Sequence, residues 1–227
     1  VTEARNEWAT IVRHYEQALQ AHGPTPQGVD WPNGEDLAAR FGVMLETLRA
    51  CPGRPRLLDL GCGPGLLVDY LAATGAIDRL DYEGVDLSEA MVEAARRRWP
   101  GHAFAQRDIV SEPLEDESVD VVVMNGVLTE RVSLSQDAMT RLAKSVVAAA
   151  FRAARVGIAF NVMSDHVDWR RDDLFHWGFD EVADFLRREV SRHYAFRADY
   201  GLYEYTCFVW REPRRAQAPG VQAWWDR

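Results

Sequence analysis

Apolar positions recur along this chain at two different spacings. Near the N-terminus Trp8, Ile11, Val12, Tyr15 and Leu19 fall three and four residues apart, which predicts a helix over residues 3–21 with one buried stripe. A loop dense in glycine and proline follows at 22–32. Asn33 suits a helix cap, and Leu37, Phe41, Met44, Leu45 and Leu48 predict a second helix to about residue 49. From residue 56 the pattern changes. Short apolar runs at 56–61, 82–87, 103–108, 119–125 and 156–163 alternate with helical patterns at 66–73, 88–99, 135–155 and 180–190. Leu57-Leu58 and Val121-Val122-Val123-Met124 are continuously apolar, as strands buried on both faces are. The alternation predicts an α/β fold: an open, doubly wound, mostly parallel sheet with helices on both faces. The end departs from it. Strands at 193–200 and 203–210 are separated by Gly201-Leu202 alone, which permits an antiparallel hairpin and no helical crossover.

Chemistry gathers at the predicted strand ends. Leu57-Leu58-Asp59-Leu60 runs into Gly61-Cys62-Gly63-Pro64-Gly65, and a helical pattern starts at Leu66. Glycines let the chain turn sharply and let a ligand approach where a Cβ would clash. In a doubly wound sheet ligands bind beyond the carboxyl ends of the strands, and an acid ending the second strand is placed to accept from ribose hydroxyls. Asp86 has that place. Asp108, at the third strand end, is positioned to accept from an adenine amine, with Ile109 packing on the ring. At the fourth, Asn125 offers an amide and Gly126 leaves room for a ligand.

Composition removes several alternatives. Lys144 is the only lysine and lies mid-helix, so the chain has no GKS/GKT phosphate loop, no Tyr-x-x-x-Lys pair and no suitable Schiff-base lysine. The three cysteines, Cys51, Cys62 and Cys207, form no CxxC pair and no metal cluster, so no metal site is expected. A formal net charge of −9 disfavours nucleic acid as a partner. No apolar run reaches membrane-spanning length and the N-terminus is polar, so no membrane association and a cytoplasmic location are expected.

The glycine loop, taken with Val85-Asp86, Arg107-Asp108-Ile109 and the run from Asp120 to Gly126, resembles the class I S-adenosylmethionine-dependent methyltransferases. The resemblance covers about residues 56–210. It implies a Rossmann-like seven-stranded sheet whose last strand is antiparallel. It implies S-adenosyl-L-methionine as cofactor and S-adenosyl-L-homocysteine as product. Asp59, Gly61, Cys62, Gly63 and Gly65 would lie along the amino-acid part of the cofactor. Asp86 would hold the ribose, with Leu87 and Met91 beside it. Asp108 and Ile109 would hold the adenine, and Asn125 and Gly126 would stand near the sulfonium. The expected organisation is a single domain over 1–227: a helical lid at 1–50, a core at 56–211, and a tail at 212–227 ending near Trp224-Trp225.

Acceptor groups are expected from three places. The lid contributes Tyr15, Trp31 and Arg40, the last as partner for the cofactor carboxylate. Glu130 and Arg131 follow the fourth strand. A long polar and aromatic segment after the fifth strand carries His166, Trp169, Arg171, His176 and Trp177, with Tyr203 nearby in sequence to the closing hairpin. His166 and His176 are the candidate bases, because histidine titrates near neutrality. The segment 164–177, with 199–205, is similar to uncharacterised bacterial methyltransferases of small-molecule and polysaccharide biosynthesis. The expected reaction is O- or N-methylation of a small polar metabolite, such as a sugar or natural-product intermediate; oligomeric state stays open. Three other readings stay open: a cofactor-binding regulatory module without catalysis, a methyltransferase acting on a macromolecule, and a nicotinamide dehydrogenase. Against the second, no Asn/Asp-Pro-Pro-Tyr/Phe motif follows the fourth strand. Against the third, Gly61-x-Gly63-x-Gly65 departs from GxGxxG spacing.

Overall fold

The computed structural model describes residues 2–214; the Trp224-Trp225 tail and the Trp8 side chain lie outside the described residues. A seven-stranded sheet runs through the centre. In chain order the elements are α1 (Thr2–His22), α2 (Gly34–Met44), β1 (Arg56–Leu60), α3 (Leu66–Ala73), β2 (Asp81–Asp86), α4 (Glu89–Arg98), β3 (Ala103–Gln106), β4 (Val119–Leu128), α5 (Gln136–Ala153), β5 (Ala154–Met163), α6 (Phe179–Phe185), β6 (His193–Arg197) and β7 (Glu204–Trp210). The strand order is β3-β2-β1-β4-β5-β7-β6. β1 to β5 pair in parallel, and β7 runs antiparallel to both β5 and β6. This is the doubly wound sheet with an antiparallel last strand expected from the sequence.

Burial explains the pattern. Leu57, Leu58, Val121 and Val122 are fully buried, as strands covered on both faces require. On one face α5, α6 and Ile11 of α1 pack against β1, β4 and β5. On the other α2, α3 and α4 contribute Leu37, Phe41, Leu67, Val68, Val92 and Ala95. Three helix starts are capped by side chains as their sequences allow. The Asn33 side chain accepts from Asp36 N, Ser88 Oγ from Met91 N, and Ser135 Oγ from Ala138 N.

Several boundaries differ from the sequence expectation, each for a physical reason. β5 starts at Ala154, straight from the last turn of α5, so no loop separates them. α2 tightens into a 3-10 turn at Leu45–Ala50. α6 begins at Phe179 and widens into a π-helical turn at Leu186–Val190. β4 does not stop at Asn125: it continues to Leu128 through an irregularity between Met124 and Leu128, with Gly126 at φ 80°. The Asn125-Gly126 turn is therefore a bulge inside the strand, a device that re-aims side chains beside sites. β3 is short, ending at Gln106, so Asp108 sits in the loop beyond it. Among the described residues no helix is long and apolar enough to cross a membrane.

Candidate active site

The order of strands reverses between β1 and β4, and in such sheets the crevice at that point is the ligand site. A cavity occupies it. Its empty volume is about 880 Å³, part of it open to solvent. The sheet contributes Leu60, Gly61, Gly63, Asp86, Leu87, Asp108, Ile109, Asn125, Gly126 and Val127, and α4 adds Ser88 and Met91. The N-terminal region covers it with Ile11, Val12, Tyr15, Val29 and Trp31. A smaller cavity of about 330 Å³ is lined by Leu37, Phe41, Asp59, Cys62, Pro64 and Leu66. It shares Val29, Trp31, Gly61, Gly63 and Asn125 with the first, so the two are adjoining parts of one site.

The glycine loop is held to β2 by its own backbone. Gly61 N and Cys62 N both donate to Val85 O, at 2.7 and 3.0 Å. Gly61 has φ 77°, and a Cβ there would stand 2.3 Å from Val127 Cγ2. No side chain fits that position. Gly65 is different. It lines neither cavity, and a Cβ there would press on Trp99, at 3.2 Å, so its absence lets α4 pack close to the loop.

Asp86 ties loop to helix. One oxygen accepts from Gly63 N and the other from Ser88 N, both at 2.9 Å. Burial raises its pKa, while these backbone donors oppose the rise. Asp59 is buried and accepts from the Tyr82 hydroxyl at 2.8 Å. Burial is the main cause that pushes its carboxyl up to about 7, with the nearby Asp86 charge adding to it. Asp108 lines the cavity, and its two oxygens also brace its own loop by accepting from Val110 N and Ser111 Oγ. Cys62 is buried, and burial raises its thiol pKa, the opposite of an activated nucleophile.

A buried polar network supports the β4 bulge. Asn161 of β5 accepts from Gly126 N at 2.8 Å and donates to Glu204 of β7 at 2.9 Å. Glu204 also receives Arg40 Nε at 2.8 Å. Arg40 in turn lies 3.8 Å from the ring centre of Trp31. A Cβ on Gly126 would come within 2.9 Å of Trp31, so the ring is pinned between the Arg40 guanidinium and the bulge. Arg40 was expected at the cofactor carboxylate. It lines neither cavity and its Nε is taken by Glu204, although Nη1 is buried with no partner. Asn161 and Glu204 were not picked out from the sequence. Their signal was there: single polar residues inside otherwise apolar strand runs, where burial demands a partner.

The downstream candidates separate from this site. His166 and His176 line a second cavity of about 1070 Å³, again partly open to solvent, with Arg131, Arg170 and Arg171. It shares no lining residue with the first two. His176 is buried with Nδ1 2.6 Å from Ser164 O, while His166 is exposed. Neither is brought to the glycine-loop cavity, because residues 174–176 bridge to Glu130 and Met163 and hold the segment against the ends of β4 and β5. Trp177 is fully buried and stacked on Phe185, so it offers no free ring face. Trp169 and Tyr203 are exposed and pack edge to face at 5.3 Å. Arg171 is engaged by Asp173. Glu130 lines none of the three cavities; it pairs with His14 of α1 at 3.3 Å.

The open acceptor and the glycine cradle in the cavity fit an adenosyl cofactor. Asn125 Oδ1 is buried with no partner, and the glycine loop leaves a cradle that a Cβ would fill. Comparison with known proteins gives the family and the fold. Residues 57–149 match the family described as "Methyltransferase domain". The Mycobacterium tuberculosis protein Rv1506c, which carries a methyltransferase name, is 35% identical over 153 residues, covering 66% of this chain and 90% of that protein. Trans-aconitate 2-methyltransferase of Variovorax paradoxus is 36% identical over 94 residues, covering 41% of this chain and 36% of that protein. The magnesium protoporphyrin IX methyltransferase of Synechocystis, solved with bound S-adenosylhomocysteine, superposes with a TM-score of 0.60 at 17% identity, covering 90% of this chain and all of that one (100%).

Proposed function

The chain belongs to the class I S-adenosylmethionine-dependent methyltransferases, and from that premise we propose that it methylates a hydroxyl or amine of a small polar metabolite. The acceptor sits at the lid side of the switch-point cavity, between Tyr15, Trp31 and the Asn125-Gly126 bulge. The observation that carries this reading is the lining of the cavity: Ile11, Val12 and Tyr15 of α1, with Val29 and Trp31, form one of its walls. Such a wall narrows the opening, which favours a small molecule over a folded macromolecule.

S-adenosylmethionine supplies a methyl group already activated on sulfur for in-line displacement. The chain's residues supply place and dryness. In this reading Asp86 accepts from the ribose hydroxyls, flanked by Leu87 and Met91. Asp108 and Ile109 hold the adenine. Gly61, Cys62 and Gly63 present backbone along the amino-acid part, with Asp59 beneath it. Asn125 Oδ1 faces the region of the sulfonium, and Gly126 leaves room for the acceptor to approach it. Tyr15 and Trp31 wall the acceptor off from water. No histidine is among the residues lining this cavity, so no imidazole is assigned as base. An amine that arrives unprotonated needs none.

The test is to incubate the protein with methyl-labelled cofactor and a fractionated cell extract. Label is expected in the low-molecular-weight fraction. Label confined to protein or nucleic acid would overturn the small-acceptor reading. Tight cofactor binding with no labelled product in any fraction would favour a regulatory module.

A further inference from the structure

We propose that His14, Asp30 and Glu130 form a binding site for one divalent transition-metal cation, which clamps the N-terminal lid to the sheet. His14 Nε2 and one oxygen of each carboxylate lie within 4.8 Å of one another. They come from three separate elements: α1, the turn after residues 27–29, and the chain leaving β4. Donors around a tetrahedral zinc, each about 2.1 Å from the ion, stand roughly 3.4 Å apart. His14 Nε2 and Glu130 Oε2 are 3.3 Å apart, at that spacing, while His14 and Asp30 are closer, in direct contact, and would move apart to admit the ion.

The charge balance points the same way. Two carboxylates face one imidazole, which carries at most one positive charge. Arg171, the nearby cation, is already engaged by Asp173. Glu130 is anchored: its strand bridges to Leu174, Arg131 N donates to Asp173 O, and Phe175 N to Thr129 O, both at 2.8 Å. Its side chain is only 15% exposed. One imidazole with two carboxylates is a donor set for zinc or manganese, and three protein donors leave a position for water or an acceptor oxygen.

The site lies beside Tyr15, which lines the cofactor cavity, so an ion there would hold that wall closed. The lid is otherwise pinned through the Glu16 to Ser88 contact at 2.7 Å and Arg98 to Pro24 O, also 2.7 Å. Ion and cofactor should therefore bind cooperatively.

The experiment is calorimetric titration of the untagged chain with Zn²⁺, and separately with S-adenosylhomocysteine in the presence of Zn²⁺ or EDTA. One equivalent of Zn²⁺ is expected, with Mn²⁺ weaker. Glu130→Gln should weaken Zn²⁺ by ~100-fold or more, and Asp30→Asn, on an exposed loop, should act in the same direction. S-adenosylhomocysteine should bind at least ~5-fold tighter with Zn²⁺ than with EDTA. The proposal is overturned if wild type binds no Zn²⁺, or if both variants bind it as wild type does. Zinc that binds through Glu130 without changing S-adenosylhomocysteine affinity would overturn the clamp. S-adenosylhomocysteine binding in EDTA reports on the cofactor site by itself, so failure there is distinguishable.

Discussion

The glycine-loop cavity and the cavity beside the loop after β5 stand at the same carboxyl edge of the sheet, yet they are built by opposite means. The first is shaped by missing side chains, at Gly61, Gly63 and Gly126, and by Asp86, whose two oxygens each accept from a backbone N–H. Its support runs inward to the buried pair of Arg40 and Glu204. The second is lined by Arg131, Arg170, Arg171, Asp172, Asp180 and Glu181, long or charged side chains on a loop and at a helix start. Its ion pairs lie at the surface. The difference teaches where this protein holds shape rigidly. Backbone and buried partners pre-form the cofactor site, while exposed pairs leave the second cavity free to rearrange.

The comparison breaks hardest at Gly61. Gly61→Val places a Cβ against Val127 in a left-handed backbone, and S-adenosylhomocysteine binding should weaken by ~100-fold or more in calorimetry. Retained affinity in a folded Gly61→Val protein would sink the cradle assignment.

Next comes the buried support. Glu204→Gln leaves the Arg40 charge buried without its partner, and urea unfolding should show a loss of about 3–5 kcal/mol. The matching change at the second cavity, Arg171→Met, removes a surface pair and should cost less than about 1 kcal/mol. Equal losses would erase the contrast.

Asp59 sharpens the point through pH. Its carboxyl is pushed up to about 7 in the folded protein, against an ordinary 3.8, so the folded state holds a proton that the unfolded chain gives up. That contribution to stability is full below about pH 4 and is lost as pH rises through about 7. Asp59→Asn, which can still accept from Tyr82, should flatten this fall. At pH 8 it should exceed wild type by about 2 kcal/mol in denaturation, while binding the cofactor more weakly. A variant no more stable than wild type at pH 8 would mean that Asp59 is ionised without cost.

The smallest effect is expected at His166. It is exposed and lines only the second cavity, so His166→Gln should leave S-adenosylhomocysteine affinity within about 2-fold of wild type. A larger loss would join the two cavities functionally.

Local chemistry made much of this legible in the linear chain. Apolar runs at β1 and β4 are strands because only a doubly covered strand tolerates them. The glycine run reads as a ligand turn because side chains would clash there, and the short link between the last two strands forbids a crossover, although β6 ends at Arg197 and β7 starts at Glu204, so residues 198–203 form the link rather than Gly201-Leu202 alone. Asp86, Asp108, Asn125 and Gly126 all line the cavity, although Asn125 and Gly126 form a bulge inside β4 and Asp108 stands in the loop beyond β3. What the linear chain did not contain was distance between remote parts. Arg40 reads as a free cation until β7 brings Glu204 beneath it, 164 residues away. His166 and His176 read as bases until the bridge to Glu130 and Met163 holds them at another cavity. His14 joins Asp30 and Glu130 only when α1 crosses the end of β4. Periodicity and steric exclusion are local and survive in sequence; pairing of buried charges depends on which elements the tertiary fold lays side by side, and only the folded chain decides that.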